Sequence, residues 1–110
     1  MRQAIVIRKN IGAGILTEND GEYVFEYDKE YLQREDCRAI SLTLPLQTTP
    51  YISNTLFPFF DGLIPEGWLL DVALRNTDIS ALDRMSLLLL CCKDCIGSVS
   101  VIERKEVDNV

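Results

Sequence analysis

The chain has 110 residues, of which 47% are hydrophobic and 25% charged, the composition of one folded domain with a single core rather than of a disordered segment. Acids outnumber bases 17 to 11, the net charge is −6, and histidine is absent. That balance speaks against direct binding of nucleic-acid phosphates and removes both the usual neutral-pH general base and the commonest metal ligand.

No apolar run approaches the ~20 residues of a membrane span. The opening MRQAIVIRKN has no apolar core before a cleavage site, so a cytoplasmic address is expected. Residues 3–8, QAIVIR, read as a strand rich in β-branched side chains. KNIGAG reads as a turn and ILTE as a second short strand. Asn19-Asp20-Gly21 offers the positive-φ positions of a tight hairpin. EYVFEYD then alternates, with Tyr23, Phe25 and Tyr27 on one face and Glu22, Val24 and Glu26 on the other. Gly12 and Gly14 do not suggest a phosphate loop, because strand-like sequence rather than a helix follows them.

KEYLQRED suggests a short helix or an irregular crossing, AISLTL (39–44) a further strand stopped by Pro45, and PLQTTPYIS a loop. From about residue 55 the period changes. A short helix over 55–63 requires Pro58 in its first turn. Pro65 and Glu66 suit the start of a second helix running to about Asn76. Ser80 and Asp83 resemble a capping box for a third, to about Cys92. After Gly97, SVSVIE returns to strand alternation, and RKEVDNV reads as a frayed tail. The expected class is therefore α+β: a small antiparallel N-terminal sheet, about three helices and a returning C-terminal strand, forming one domain over 1–110.

Leu87, Leu88, Leu89 and Leu90 point about 100° apart on the third helix. A helix apolar all round must be covered all round, and the domain itself is the expected cover. Cys92-Lys93-Asp94-Cys95 is formally C-x-x-C, but it ends a helical run, whereas thiol activation uses a helix N-terminus. A zinc site would need Cys37 from far away and would have no histidine. Buried, reduced thiols are the expectation for Cys37, Cys91, Cys92 and Cys95, with no metal and no cofactor.

The stretch FPFFDGLIPEGWLL (57–70) holds three of the four phenylalanines and the single tryptophan. Trp68 sits at the edge of the apolar arc of the second helix, beside Asp71 and Arg75 on its polar side. Pro65 and Gly67 constrain and clear its approach. Two readings stay open: a lid on the core, or an anchor for a partner.

Three segments, ISLTLPLQ (40–47), FFDGLIPEGWLLD (59–71) and DCIGSVSV (94–101), resemble in order and spacing the N-terminal subdomain of the HipA-family serine/threonine kinases, the toxins of bacterial toxin–antitoxin operons. The resemblance covers about residues 3–103. Ser98 stands where that family has a small alanine. In HipA a kinase domain follows this subdomain. Here no catalytic-loop aspartate, nucleotide-binding lysine or D-F-G-like segment is present, so none of the family's catalytic residues carries over.

A free-standing subdomain of this kind resembles the HipS-type antitoxins of HipBST systems. That resemblance implies a non-enzymatic protein. It also implies a HipT-like kinase toxin as partner and a HipB-like helix-turn-helix protein in the same complex. Partner contacts are expected at Phe59, Phe60, Asp61, Pro65, Glu66, Gly67, Trp68 and Asp71. The alternative is a remnant or fragment of a full kinase toxin, against which the initial Met1 and the charged tail are expected to speak. A thiol-dependent enzyme is a more distant reading.

Overall fold

The computed structural model describes residues 2–64, 84–91 and 99–104. Five strands form one antiparallel sheet. They are β1 (Arg2–Arg8), β2 (Ile11–Asn19), β3 (Glu22–Tyr27), β4 (Tyr51–Ser53) and β5 (Val99–Arg104), in the spatial order β4-β3-β2-β1-β5. Three helices are described: α1 (Lys29–Leu32), α2 (Pro58–Asp61) and α3 (Arg84–Cys91). The expected α+β class, the N-terminal sheet and the returning strand are all present. The helix expected over about 65–76 lies outside the described residues.

Two-residue turns set the register of the first three strands. Asp20 and Gly21 have φ of 52° and 81°, the left-handed pair that matches the twist of a hairpin. Lys9 and Asn10, at 50° and 67°, do the same between β1 and β2. The first turn is therefore shorter than KNIGAG, and Gly12-Ala13-Gly14 lies inside β2. Val6 pairs with Gly14 and Ile7 with Gly12, so Ala13 is the extra residue of a bulge. Gly14 is required there: a β-carbon would lie 2.5 Å from the Glu26 carbonyl and 2.9 Å from the Phe25 ring.

The fourth strand is not where its propensity suggests. AISLTL forms no strand. Ser41 and Leu44 bridge each other across a tight turn, with Leu44 N–H donating to the Ser41 carbonyl at 3.1 Å. Ser41 Oγ accepts from Thr43 N–H at 3.1 Å and lies 2.9 Å from Thr43 Oγ1, local bonds that compete with a sheet ladder. Tyr51–Ser53, expected as loop, takes the free edge of β3 instead, pairing Tyr23 with Ser53 and Phe25 with Tyr51.

The core lies on one face of the sheet. Tyr23, Phe25 and Tyr27 point into it as their alternation requires, joined by Ala4, Val6, Leu16, Val99 and Val101. Met85, Leu87 and Leu88 of α3 are buried with them, and Leu89 packs at the margin. The domain thus covers α3 over these positions, as expected. β5 pairs with β1 from Gln3–Arg104 to Arg8–Val99, which returns the chain to its first strand.

Candidate partner-binding site

The stretch that begins at Phe57 enters α2 with its proline at the first helical position, where the missing N–H costs nothing. Successive helical residues diverge by about 100°, so the two neighbouring phenylalanines part company. Phe60 is fully buried, 5.6 Å from the ring of Phe25 and 6.2 Å from that of Phe57. Phe59 lies over it at 5.2 Å, edge to face, and is only partly covered. Gly62, Leu63 and Ile64 N–H groups donate to Pro58, Phe60 and Asp61 carbonyls, closing the helix end. Ile64 is buried in turn.

Two of the expected contact residues have roles within the fold. Phe60 has no surface to offer and serves as a core anchor for α2. Asp61 is engaged within the chain: its Oδ1 accepts from Arg84 Nε at 2.6 Å and lies 2.5 Å from Arg84 Nη2. Both side chains remain partly open to solvent. The pair ties α2 to α3 and brings together the two ends of the intervening stretch. Phe59 is the described member of the set with apolar surface left. Pro65, Glu66, Gly67, Trp68 and Asp71 lie outside the described residues, so both readings of Trp68 stand as they were.

A second surface adjoins this one in sequence. Tyr27 OH donates to the Leu44 carbonyl and accepts from Ile40 N–H at 3.0 Å. Burial pushes its phenol up, against the opposing pull of the Ile40 bond, so the hydroxyl stays protonated and bridging. Tyr31 OH binds both backbone groups of Arg38, donating to its carbonyl at 2.6 Å and accepting from its N–H at 3.2 Å. Tyr51 OH donates to the Pro45 carbonyl at 2.6 Å. Three tyrosines from the sheet and α1 thus hold the 38–45 loop by its backbone.

Ile40 and Leu44 are buried on either side of the turn, and Leu42 between them is 99% exposed. Leu46 is also exposed. Reading the sequence by periodicity missed this surface. A signal was nevertheless present: residues 39–60 contain no Asp, Glu, Lys or Arg, where a stretch of that length ordinarily carries about five.

On the opposite face of the sheet lies a cleft of about 690 Å³, lined by Ile5, Ile15, Tyr31, Asp28, Arg34 and Arg104 among others. Among the described residues no group of three His, Cys, Asp or Glu could hold a metal ion. No helix among them is long and apolar enough to cross a membrane. Cys37 is a free thiol directed at the Leu32 carbonyl, 3.7 Å away. Cys92 and Cys95 lie outside the described residues.

The fold, a meander closed by the last strand with helices on its core face, is shared with known proteins. The chain belongs to the HipA N-terminal domain family, whose model matches residues 4–102. An uncharacterized protein of Haemophilus influenzae is 32% identical over 93 residues, which cover 84% of each chain. A solved structure, the N-terminal domain of HipA toxin, superposes with a TM-score of 0.76 at 27% identity, over 97% of this chain and 96% of that one. The resemblance read from the three sequence segments is therefore shown.

Proposed function

We propose that this protein is a HipS-like antitoxin, which binds and neutralises a HipA- or HipT-like serine/threonine kinase and has no catalytic activity of its own. The observation that carries the reading is the match over 4–102 to the N-terminal domain of HipA, a part of that toxin distinct from its kinase machinery. A kinase lacking this domain would present the surface the domain normally covers. A HipB-like DNA-binding protein would complete the complex.

The 57–70 stretch is the proposed inhibitory contact. Phe59 lies within it with apolar surface left, and Trp68 is its proposed anchor at the kinase cleft. The test is co-purification with the neighbouring HipT-like kinase, then a kinase assay with and without this chain. Complex formation with loss of phosphotransfer supports the proposal; an active kinase at saturating chain refutes it. The likeness to a domain of HipA toxin also supports a second reading, a structural subdomain of a full kinase. A neighbouring reading frame that encodes a kinase with its own copy of this domain would favour that reading.

A further inference from the structure

We propose that the 41–46 loop is a second, separate docking surface for the same kinase, with Leu42 as its anchor and Leu46 beside it. This rests on the antitoxin reading and adds a contact outside the 57–70 stretch. A leucine with 99% of its surface in water is ordinary on a loose loop, but this loop is not loose. Its backbone is bound by the hydroxyls of Tyr27 and Tyr51, and its flanks are buried through Ile40 and Leu44. The fold holds an apolar side chain outward on a fixed base, an arrangement that lowers the ordering cost of binding.

The charge pattern identifies the kind of partner. In a chain of net charge −6, residues 39–60 carry no charged side chain at all. A surface without cations has nothing for phosphate or lipid headgroups. Depletion of charge around an apolar centre is instead the composition of a protein–protein interface core. The occupant is accordingly an uncharged, apolar-lined groove on the kinase. The same uncharged run continues in sequence as far as Phe60 and includes the partly covered Phe59.

The experiment compares the full-length protein with Leu42→Asp, Leu42→Ala and Ile102→Asp, the last altering an exposed residue on β5 at the far edge of the sheet. Affinity is measured by calorimetric titration into a purified HipT-like kinase lacking this domain, and folding by thermal melting. All three variants should melt like wild type. Leu42→Ala should weaken binding at least tenfold and Leu42→Asp further, while Ile102→Asp binds normally. Wild-type affinity in Leu42→Asp overturns the docking surface and leaves the antitoxin reading intact. No binding by wild-type protein overturns both. If sedimentation shows a dimer of the chain alone that Leu42→Asp dissolves, the occupant is a second copy and the proposal fails.

Discussion

Replacing Tyr27 by Phe removes one oxygen and leaves the ring, so it isolates what the hydroxyl does. In the native fold that oxygen bridges Ile40 N–H and the Leu44 carbonyl, and all three residues are buried. Without it, both backbone groups stay out of water with no partner. Each such group costs about 1–3 kcal/mol. The phenol's own desolvation is recovered, so a net loss of about 2–4 kcal/mol is expected. That is a large share of the ~5–15 kcal/mol available to a domain. At ~4 °C per kcal/mol for a chain of this length, Tm should fall by about 8–16 °C.

Urea unfolding followed by tryptophan fluorescence measures the change. The control is Tyr51→Phe, whose bond to the Pro45 carbonyl is exposed and replaceable by water; it should cost under ~0.5 kcal/mol. If Tyr27→Phe were as stable as Tyr51→Phe, the loop would not be held by the buried hydroxyl, and the fixed base claimed for Leu42 would go with it.

Four further outcomes are expected. The Tyr27 phenol is raised by burial, so its contribution is full below the unfolded value of about 10 and is lost as pH climbs through the higher folded value; alkaline denaturation curves should show that loss in wild type and not in Tyr27→Phe. Gly14→Ala forces a β-carbon against the Glu26 carbonyl and Phe25 ring and should cost about 1–3 kcal/mol, whereas Gly12→Ala, with open space around it, should cost far less in the same unfolding assay. Asp61→Asn should cost about 0.5–1 kcal/mol in low salt and less in high salt, as a half-exposed ion pair with Arg84 requires. Trp68→Ala separates its two readings by paired measurement: loss of ~3–5 kcal/mol of stability marks a core lid, while unchanged melting with at least ~30-fold weaker kinase binding marks an anchor.

What was legible in the sequence was what is decided locally. The Asp20-Gly21 turn needs only two positive-φ residues, and the burial of Tyr23, Phe25 and Tyr27 needs only their alternation. Pro58 announces the first turn of α2. The return of β5 was visible because period-two alternation resumes after Gly97. The fourth strand was not legible, because propensity cannot say which segment reaches the free edge of β3. AISLTL has the side chains of a strand, yet Tyr27, far earlier in the chain, captures its backbone at Ile40 and Leu44, and Tyr31 captures Arg38 just before it. In the candidate site, Phe59 and Phe60 look alike in sequence. Only the direction of a one-turn helix against Phe25 buries one and leaves part of the other exposed.

The same strand supports both proposed contacts. Phe25 packs on Phe60 and so fixes α2 at the start of the 57–70 stretch; Tyr27, two residues on, fixes the loop that displays Leu42. The two side chains also touch, edge to face at 4.9 Å. Their contribution to binding is therefore indirect: the order that a partner would otherwise have to impose is already supplied by folding. Mutations along β3 and mutations at Leu42 should then differ in kind. Tyr27→Phe, which lets the loop move, should weaken kinase binding only as far as it loosens the 38–45 backbone, with faster hydrogen exchange at Ile40 in the free protein. Leu42→Ala should weaken binding with exchange at Ile40 unchanged. If the two variants lost affinity equally while Ile40 exchanged at the wild-type rate in both, preorganisation by β3 would have no part in binding.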